Sequence, residues 1–141
     1  MKLLRFFLLA TALAVFGSLE ARAGDIKVIA NPSVGASTVS ADDLKGVFLQ
    51  EKSSLSDGSH VAPVLLKGGA AHEAFVKQYL GKTDDALQTY YRSLVFTGKG
   101  SMPKMLGSDA EMVAYVAKTK GAIGYVSAGA SVEGVKTLEV N

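Results

Sequence analysis

The chain of 141 residues contains 15 basic residues, 13 acidic residues and no cysteine. A chain of this length suits one domain, which buries about two thirds of its unfolded surface. The missing cysteines exclude disulfides, zinc–thiolate sites and a lipid-modified cysteine. The small net charge of +2 argues against nucleic acid as a partner, because binding to a phosphate backbone requires a strongly basic face.

Residues 1–23 have the pattern of a cleaved secretory signal peptide. A basic start with Lys2 and Arg5 precedes an apolar run at residues 6–16, and Ala-Arg-Ala at 21–23 is a small-x-small cleavage pattern. The run is shorter than the roughly 20 apolar residues of a spanning helix. Cleavage after residue 23 removes three basic residues and one acidic residue, so residues 24–141 carry no net charge. We therefore expect one domain at 24–141 that is free in the periplasm or secreted.

The first predicted strand is Asp25–Ala30. Asn31-Pro32-Ser33 ends it, because proline cannot donate to a ladder and restricts the residue before it. Residues 33–40 are polar and are predicted to form a loop. Ser40 followed by Asp43 is a variant of the capping box and opens a short helix, whose apolar face is Leu44, Val47 and Phe48.

The centre of the chain has the pattern of a strand, a glycine turn and a helix. Val61–Leu66 is an apolar run typical of a strand buried on both faces, and Lys67-Gly68-Gly69 ends it. From Ala71 onward apolar residues recur at helical spacing, which places the polar His72, Glu73, Lys77 and Gln78 on the other side. Such a turn directs unpaired N–H groups and the positive end of the helix dipole at the space before the helix, which suits an anion. Alternatively, the glycines only provide conformational freedom at a tight junction.

The second half of the chain continues the alternation of helices and strands. It contains a helix capped by Thr83, an aperiodic loop over Phe96–Lys104 with two glycines and two lysines, a helix opened by Ser108 and Glu111, a buried strand at Ala122–Val126 and a last strand at Val135–Val140. Strands separated by helices predict an α/β layered domain with helices on both faces of the sheet.

The sequence contains no convincing catalytic or metal site. His72-Glu73 begins like a zinc-protease helix, but position 76 is valine where that motif needs its second histidine. Ser101 lacks the flanking glycine and strand of a nucleophile elbow. We therefore predict a protein that is not an enzyme and needs no cofactor.

Two further segments can contribute to an anion site at the glycine turn. In open α/β sheets, ligands collect at the carboxyl ends of strands, and both Ser33 and Lys67 follow a predicted strand. The glycine-rich loop adds Lys99 and Ser101, although a solvated loop explains its lysines equally well. The predicted oxyanion site comprises the amides of Gly69, Ala70 and Ala71 with Lys67, assisted by Ser33, Lys99 and Ser101.

Several stretches occur in an order that resembles the phosphate ABC-transporter substrate-binding family. They are Val28–Pro32, Leu44–Phe48, Pro63-Val64, Phe75 and the distinctive Gly121-Ala122-Ile123-Gly124-Tyr125-Val126. The tract Tyr90–Gly100 followed by Pro103 is similar to short, stand-alone members, which consist of one lobe of the type II periplasmic binding protein fold. The resemblance covers nearly all of residues 24–141.

The resemblance implies an exported α/β protein with a mixed β-sheet flanked by helices, which binds phosphate or a similar oxyanion and performs no catalysis. It also implies a membrane transporter, a sensor protein or a second copy as partner. Full-length members carry an arginine and a Ser-Gly-Thr turn at the helix start, where this chain has Leu66–Ala71 and only Lys67 and backbone amides. That departure leaves a second function open, an envelope interaction or sensory module that has lost solute binding.

Overall fold

The computed structural model of the protein describes residues 25–141, so the predicted signal peptide lies outside the described residues. The helices are α1 (Ala41–Phe48), α2 (Ala70–Phe75), α3 (Asp84–Phe96) and α4 (Asp109–Lys118). The strands are β1 (Ile26–Ala30), β2 (Thr38–Val39), β3 (Ala62–Leu66), β4 (Lys104–Leu106), β5 (Ala122–Ser127) and β6 (Lys136–Val140). Within this part of the chain, no helix has the length and apolar character needed to cross a bilayer.

The strands form one mixed sheet in the order β2-β6-β1-β5-β3-β4. Strand β1 runs antiparallel to both of its neighbours, β5 and β6. Strands β3, β4 and β5 run parallel to one another, and β2 is parallel to β6. The predicted α/β layered architecture with a mixed β-sheet is confirmed.

Helices cover both faces of the sheet, and two successive residues of β5 show which helix covers which face. Tyr125 stacks on Phe75 of α2, with the ring centroids 3.8 Å apart and the planes 8° from parallel. A Cβ at Gly124 would come within 2.6 Å of the Met112 sulfur of α4. Because successive side chains of a strand point to opposite faces, α2 and α4 lie on opposite sides of the sheet.

The predicted helix starts are confirmed by their hydrogen bonds. The side-chain oxygens of Ser40, Thr83 and Ser108 accept from the backbone N–H three residues later, at 3.0, 3.2 and 3.1 Å. The N-caps of α1, α3 and α4 are therefore formed by these three residues, as the capping patterns predict.

The segment predicted as a loop at residues 33–40 contains the short strand β2, so that prediction is wrong. The loop predicted over Phe96–Lys104 differs only at its ends, because Phe96 is the last residue of α3 and Lys104 the first of β4, a strand that was not predicted. Each is an edge strand of two or three residues. Such strands are formed by pairing with a neighbour and leave little periodic signal in the sequence.

The central stretch also departs from its prediction in two details. The first residues of β3, Ala62 and Pro63, are exposed and half-buried, so only the second half of the strand is buried on both faces. Helix α2 continues as a π-helical turn at Val76–Leu80. It ends at Gly81, whose left-handed backbone (φ 63°) matches the predicted glycine stop.

Candidate functional site

The junction between β3 and α2 exposes backbone N–H groups, as the glycine turn predicts. Gly69 is the N-cap of α2 and no side chain caps the helix there. The first intrahelical bond runs from the N–H of Glu73 to the carbonyl of Gly69 at 3.0 Å, so the preceding amides of the first turn have no intrahelical acceptor. A Cβ at Gly68 or Gly69 would meet nothing within 4 Å. The front of the helix is open.

A chain of hydrogen bonds lies beneath this open turn. The Leu66 N–H donates to the Tyr125 hydroxyl at 3.1 Å, and that hydroxyl lies 2.5 Å from His72 Nδ1. His72 Nε2 lies 2.6 Å from Asp84 Oδ1 at the start of α3. When the imidazole is neutral, the hydroxyl donates to Nδ1 and the Nε2–H donates to the carboxylate. The chain ties the end of β3, the first turn of α2, β5 and α3 together.

His72 is buried, which corrects its predicted place on the polar side of the helix. Its side chain is 1% exposed, whereas that of Asp84 is 39% exposed. The spacing of His72 to Phe75 and Val76 is i, i+3 and i, i+4, which places it on the buried face. The prediction placed His72 on the exposed side because histidine is polar, although its spacing to Phe75 and Val76 indicates the buried face.

Tyr125 is the other residue that sequence reasoning missed as part of the junction. Burial of its ring raises the pKa of the hydroxyl well above its usual value. The hydroxyl is therefore protonated across the physiological pH range and remains able to donate to His72. The distinctive Gly-Ala-Ile-Gly-Tyr-Val string thus supplies the support of the junction through its tyrosine.

Ser33 and the glycine turn lie at opposite ends of the central strands of the sheet. The prediction that Ser33 shares a site with Gly69 is therefore wrong. Because β1 is antiparallel to β5 and β5 is parallel to β3, the end of β1 lies beside the beginning of β3. The Ser33 hydroxyl accepts from the N–H of Gly121 at 3.1 Å. The same turn holds α4, because Asn31 Nδ2 donates to the carbonyl of Val116 at 2.8 Å.

Lys99 and Ser101 also lie away from the glycine turn. Gln50 holds the backbone of Ser101 through two bonds, Nε2 to the carbonyl at 2.6 Å and the N–H to Oε1 at 3.0 Å. The chain then enters β4 at Lys104, opposite Val64 of β3. The loop is therefore at the N-terminal end of β3, and Gly69 lies beyond the other end of that five-residue strand, a separation of at least about 13 Å.

The structure thus separates the predicted site residues into two groups. Lys67, Gly69, Ala70 and Ala71 are together at the β3–α2 junction, where the first three are exposed and Ala71 is buried. The other three predicted site residues, Ser33, Lys99 and Ser101, lie at the N-terminal end of β3. Among residues 25–141, no group of three or more histidine, aspartate or glutamate side chains is placed to hold a metal ion.

Comparison with known proteins finds likeness only at the level of structure. No family model matches the sequence, and no curated protein matches it. Among solved structures, an ABC-type phosphate transport receptor from Vibrio cholerae is similar over 82% of this chain and 45% of its own length, at 12% identity and a TM-score of 0.61.

Two further solved structures have the same relation to the chain. PstS from Borrelia burgdorferi is 14% identical over 82% of this chain and 47% of its own, with a TM-score of 0.62. A protein from Clostridium perfringens, described as a phosphate ABC transporter substrate-binding protein with bound phosphate, is 14% identical over 82% of this chain and 44% of its own, with a TM-score of 0.59. The chain thus spans less than half of each, and the likeness shows a shared fold.

Proposed function

We propose that the protein is an exported, solute-binding-like protein that binds phosphate or a similar small oxyanion at the start of α2. The ligand contacts the amides of Gly69, Ala70 and Ala71, and Lys67 supplies a positive charge. The proposal rests on the open, uncapped helix start within a fold shared with proteins described as phosphate receptors. A periplasmic location and a membrane transporter as partner belong to the same proposal.

The binding is expected to be weak. A charge at an exposed helix start gains only about 0.3–1 kcal/mol, and Lys67 is an exposed side chain. No hydroxyl is available where the full-length family has its Ser-Gly-Thr turn, because Ala70 and Ala71 stand there. We expect a dissociation constant in the millimolar range, about −4 kcal/mol.

The test is calorimetry and thermal unfolding of the purified protein in 0–20 mM phosphate (order-of-magnitude range from the expected affinity), at constant ionic strength set with chloride. The protein is expected to gain Tm with phosphate, and Lys67→Ala is expected to weaken the effect by about threefold. Neither heat nor a Tm shift at the highest concentration would overturn the proposal.

Matched variants locate the site. Lys99→Ala removes another exposed lysine from the loop at the other end of the strands, and Ser33→Ala removes a hydroxyl that accepts from the N–H of Gly121. Both variants are expected to keep the affinity for phosphate. Loss of binding in Lys99→Ala with retention in Lys67→Ala would place the anion at the wrong end of the sheet for this proposal.

The second candidate function is an envelope interaction or sensory module without solute binding. The specific observation that favours it is a group of exposed apolar side chains, Val95, Phe96 and Met102. A binding partner recovered from periplasmic extract, combined with no response to phosphate, is the expected result for this function. Clear phosphate binding without a partner favours the first.

A further inference from the structure

The imidazole of His72 is a buried group whose two nitrogens both have partners. Its side chain is 1% exposed. Nδ1 lies 2.5 Å from the hydroxyl of Tyr125, and Nε2 lies 2.6 Å from Oδ1 of Asp84. Histidine is the side chain that ordinarily changes charge between about pH 5 and pH 8. The two partners respond to such a change in different ways.

The carboxylate of Asp84 suits both charge states of the ring. It accepts from the Nε2–H of the neutral imidazole, and the same contact becomes a charge-assisted hydrogen bond when the ring is protonated. The side chain of Asp84 is 39% exposed, so this ion pair remains in contact with water. Protonation of His72 therefore keeps the contact between α2 and α3 and strengthens it.

The hydroxyl of Tyr125 suits only the neutral ring. It then donates to Nδ1 of His72 and accepts from the N–H of Leu66 at 3.1 Å. A protonated Nδ1 carries a hydrogen and has no free lone pair, so it can only donate. The hydroxyl would then accept from both neighbours, and its own hydrogen would have to turn to a third direction. Because Tyr125 is fully buried, bulk water does not accept that hydrogen.

The side chains packed around Tyr125 are mainly aromatic rings. Phe75 stacks on it, and Phe48 lies with its ring centroid 6.0 Å away. Tyr91 acts on it electrostatically, but its own hydroxyl donates to the carbonyl of Phe48 at 2.7 Å. Burial raises the pKa of the Tyr91 hydroxyl well above its usual value, so Tyr91 stays neutral. The hydrogen bonds that the structure gives Tyr125 within residues 25–141 are those with the strand end and the imidazole.

The other charged groups near His72 lie towards solvent. Glu73, Lys77 and Lys82 line one surface depression together with Asp84. Glu73 and Lys77 are exposed and Lys82 is half-buried, so water and salt screen their charges. Within the described part of the chain, the ion pair of His72 is the one with Asp84. Asp84 is therefore the charge that acts on the imidazole directly.

We propose that His72 is a pH-sensitive switch beneath the β3–α2 junction. With a neutral ring, the Tyr125 hydroxyl donates to His72, which polarises it into a better acceptor for the N–H of Leu66. When the ring takes up a proton, the hydroxyl loses its acceptor and its bond to Leu66 weakens, while Asp84 retains the ring. The glycine turn that follows Leu66 is then held less firmly. The switch consists of contacts within the chain and does not depend on phosphate.

NMR of the purified protein tests the switch, because the chain has only two histidines. The ring nitrogens of His72 and the exchange of the backbone amides are followed between about pH 8 and pH 5, with each exchange rate divided by its intrinsic rate at that pH. We expect the Leu66 amide to lose protection about fivefold, with the same midpoint as the His72 ring. The exposed His60 is the internal control, and His60→Gln is expected to leave this transition unchanged.

Two variants separate the partners of the ring. Asp84→Asn keeps an oxygen that accepts from Nε2–H but removes the charge, so both readouts are expected to move together to lower pH. Asp85→Asn, at the exposed neighbouring carboxylate, is the matched control and is expected to leave the midpoint unchanged. In Tyr125→Phe, examined where the protein is still folded, the His72 ring is expected to titrate without a transition at the Leu66 amide.

Four results would overturn the proposal. They are a His72 ring that keeps one charge state over the whole pH range, a Leu66 transition that follows the midpoint of His60, a Leu66 transition that persists in Tyr125→Phe, and an Asp84→Asn variant with an unchanged midpoint. All samples are free of phosphate, so a failure of the proposed phosphate binding leaves these outcomes readable.

Discussion

The two ends of strand β3 are built on different physical principles. At the C-terminal end, an exposed glycine turn rests on the buried residues Tyr125 and His72. At the N-terminal end, a groove of about 540 Å³ lies beside two sets of polar contacts, the exposed bonds of Gln50 to the backbone of Ser101 and the part-buried ion pair of Lys52 with Asp43. The turn end is supported by fully buried tyrosine and histidine side chains, whereas the contacts at the groove end lie nearer the surface.

This difference decides how strongly each end responds to change. A buried hydrogen-bonding group that loses its partner costs about 1–3 kcal/mol, whereas an exposed group recovers most of that energy from water. The α2 end should therefore lose more stability on substitution than the groove end. The ion pair at the groove end should respond to pH and salt.

The largest expected effect is that of Tyr125→Phe. The variant keeps the ring that stacks on Phe75 but leaves the N–H of Leu66 and Nδ1 of His72 without the hydroxyl. We expect a loss of about 2–3 kcal/mol in the free energy of unfolding, measured by urea denaturation.

Tyr79→Phe is the matched control for this substitution. The half-buried ring of Tyr79 also packs against Phe75, with the centroids 5.5 Å apart, and within residues 25–141 the structure gives its hydroxyl no hydrogen bond. The expected loss is below about 0.5 kcal/mol. Equal losses in the two variants would show that the buried chain contributes nothing beyond ring packing.

The fold was predictable because its signals are local. The caps at Ser40, Thr83 and Ser108 and the stop at Gly81 act through neighbours three or four residues away. All four are found as predicted. The edge strands β2 and β4 were missed because pairing with distant segments forms them.

The arrangement of the candidate site was less predictable than its parts. The glycine turn could be recognised from Lys67-Gly68-Gly69 alone, but the position of Ser33 depends on the direction of β1 in the sheet, which no local signal gives. The antiparallel pairing of β1 with β5 moves Ser33 to the opposite end of the central strands. His72 and Tyr125 meet across 53 residues of sequence, a contact that spacing patterns cannot reveal.

The next largest effect is expected for Gly69→Ala. Gly69 has φ 95° and ψ 172°, a backbone region that is essentially restricted to glycine and costs other residues about 1–3 kcal/mol. We expect a loss of stability in this range by urea denaturation and weaker phosphate binding, because the amides of the turn move.

Gly68→Ala is the control, because a Cβ at Gly68 also meets nothing within 4 Å and Gly68 is not among the residues with positive φ. Its stability is expected to stay within about 0.5 kcal/mol of the wild type. A similar loss in both variants would mean that the left-handed turn is not what fixes the start of α2.

At the groove end, Gln50→Asn is expected to cost about 0.5–1 kcal/mol. Gln50 has φ 59°, a conformation that asparagine also tolerates, so the substitution shortens the side chain without adding backbone strain. The two bonds to Ser101 are then lost. The Ser101 amide is expected to exchange faster with solvent, which hydrogen-exchange NMR measures, while Gln78→Asn, at an exposed position on the turn after α2, leaves it unchanged.

The smallest expected effect is a pH dependence that Asp43 introduces at the groove end. The carboxylate of Asp43 accepts from Lys52 Nζ at 2.8 Å and from the hydroxyl of Ser56. The hydrogen bond from Lys52, and after it that from Ser56, holds the pKa of the Asp43 carboxyl below its usual value. The stabilisation is therefore present above the unfolded pKa near 4 and is lost as the pH falls through the lower folded value.

Asp43→Asn should remove this pH dependence and little else. At pH 7 the variant is expected to have a Tm lower by on the order of 2 °C, and the difference from the wild type should vanish at pH 2.5, where the wild-type carboxyl is protonated as well. Thermal unfolding from pH 7 to pH 2.5 measures it. A Tm difference that persists unchanged at pH 2.5 would show that the carboxylate of Asp43 is not its source.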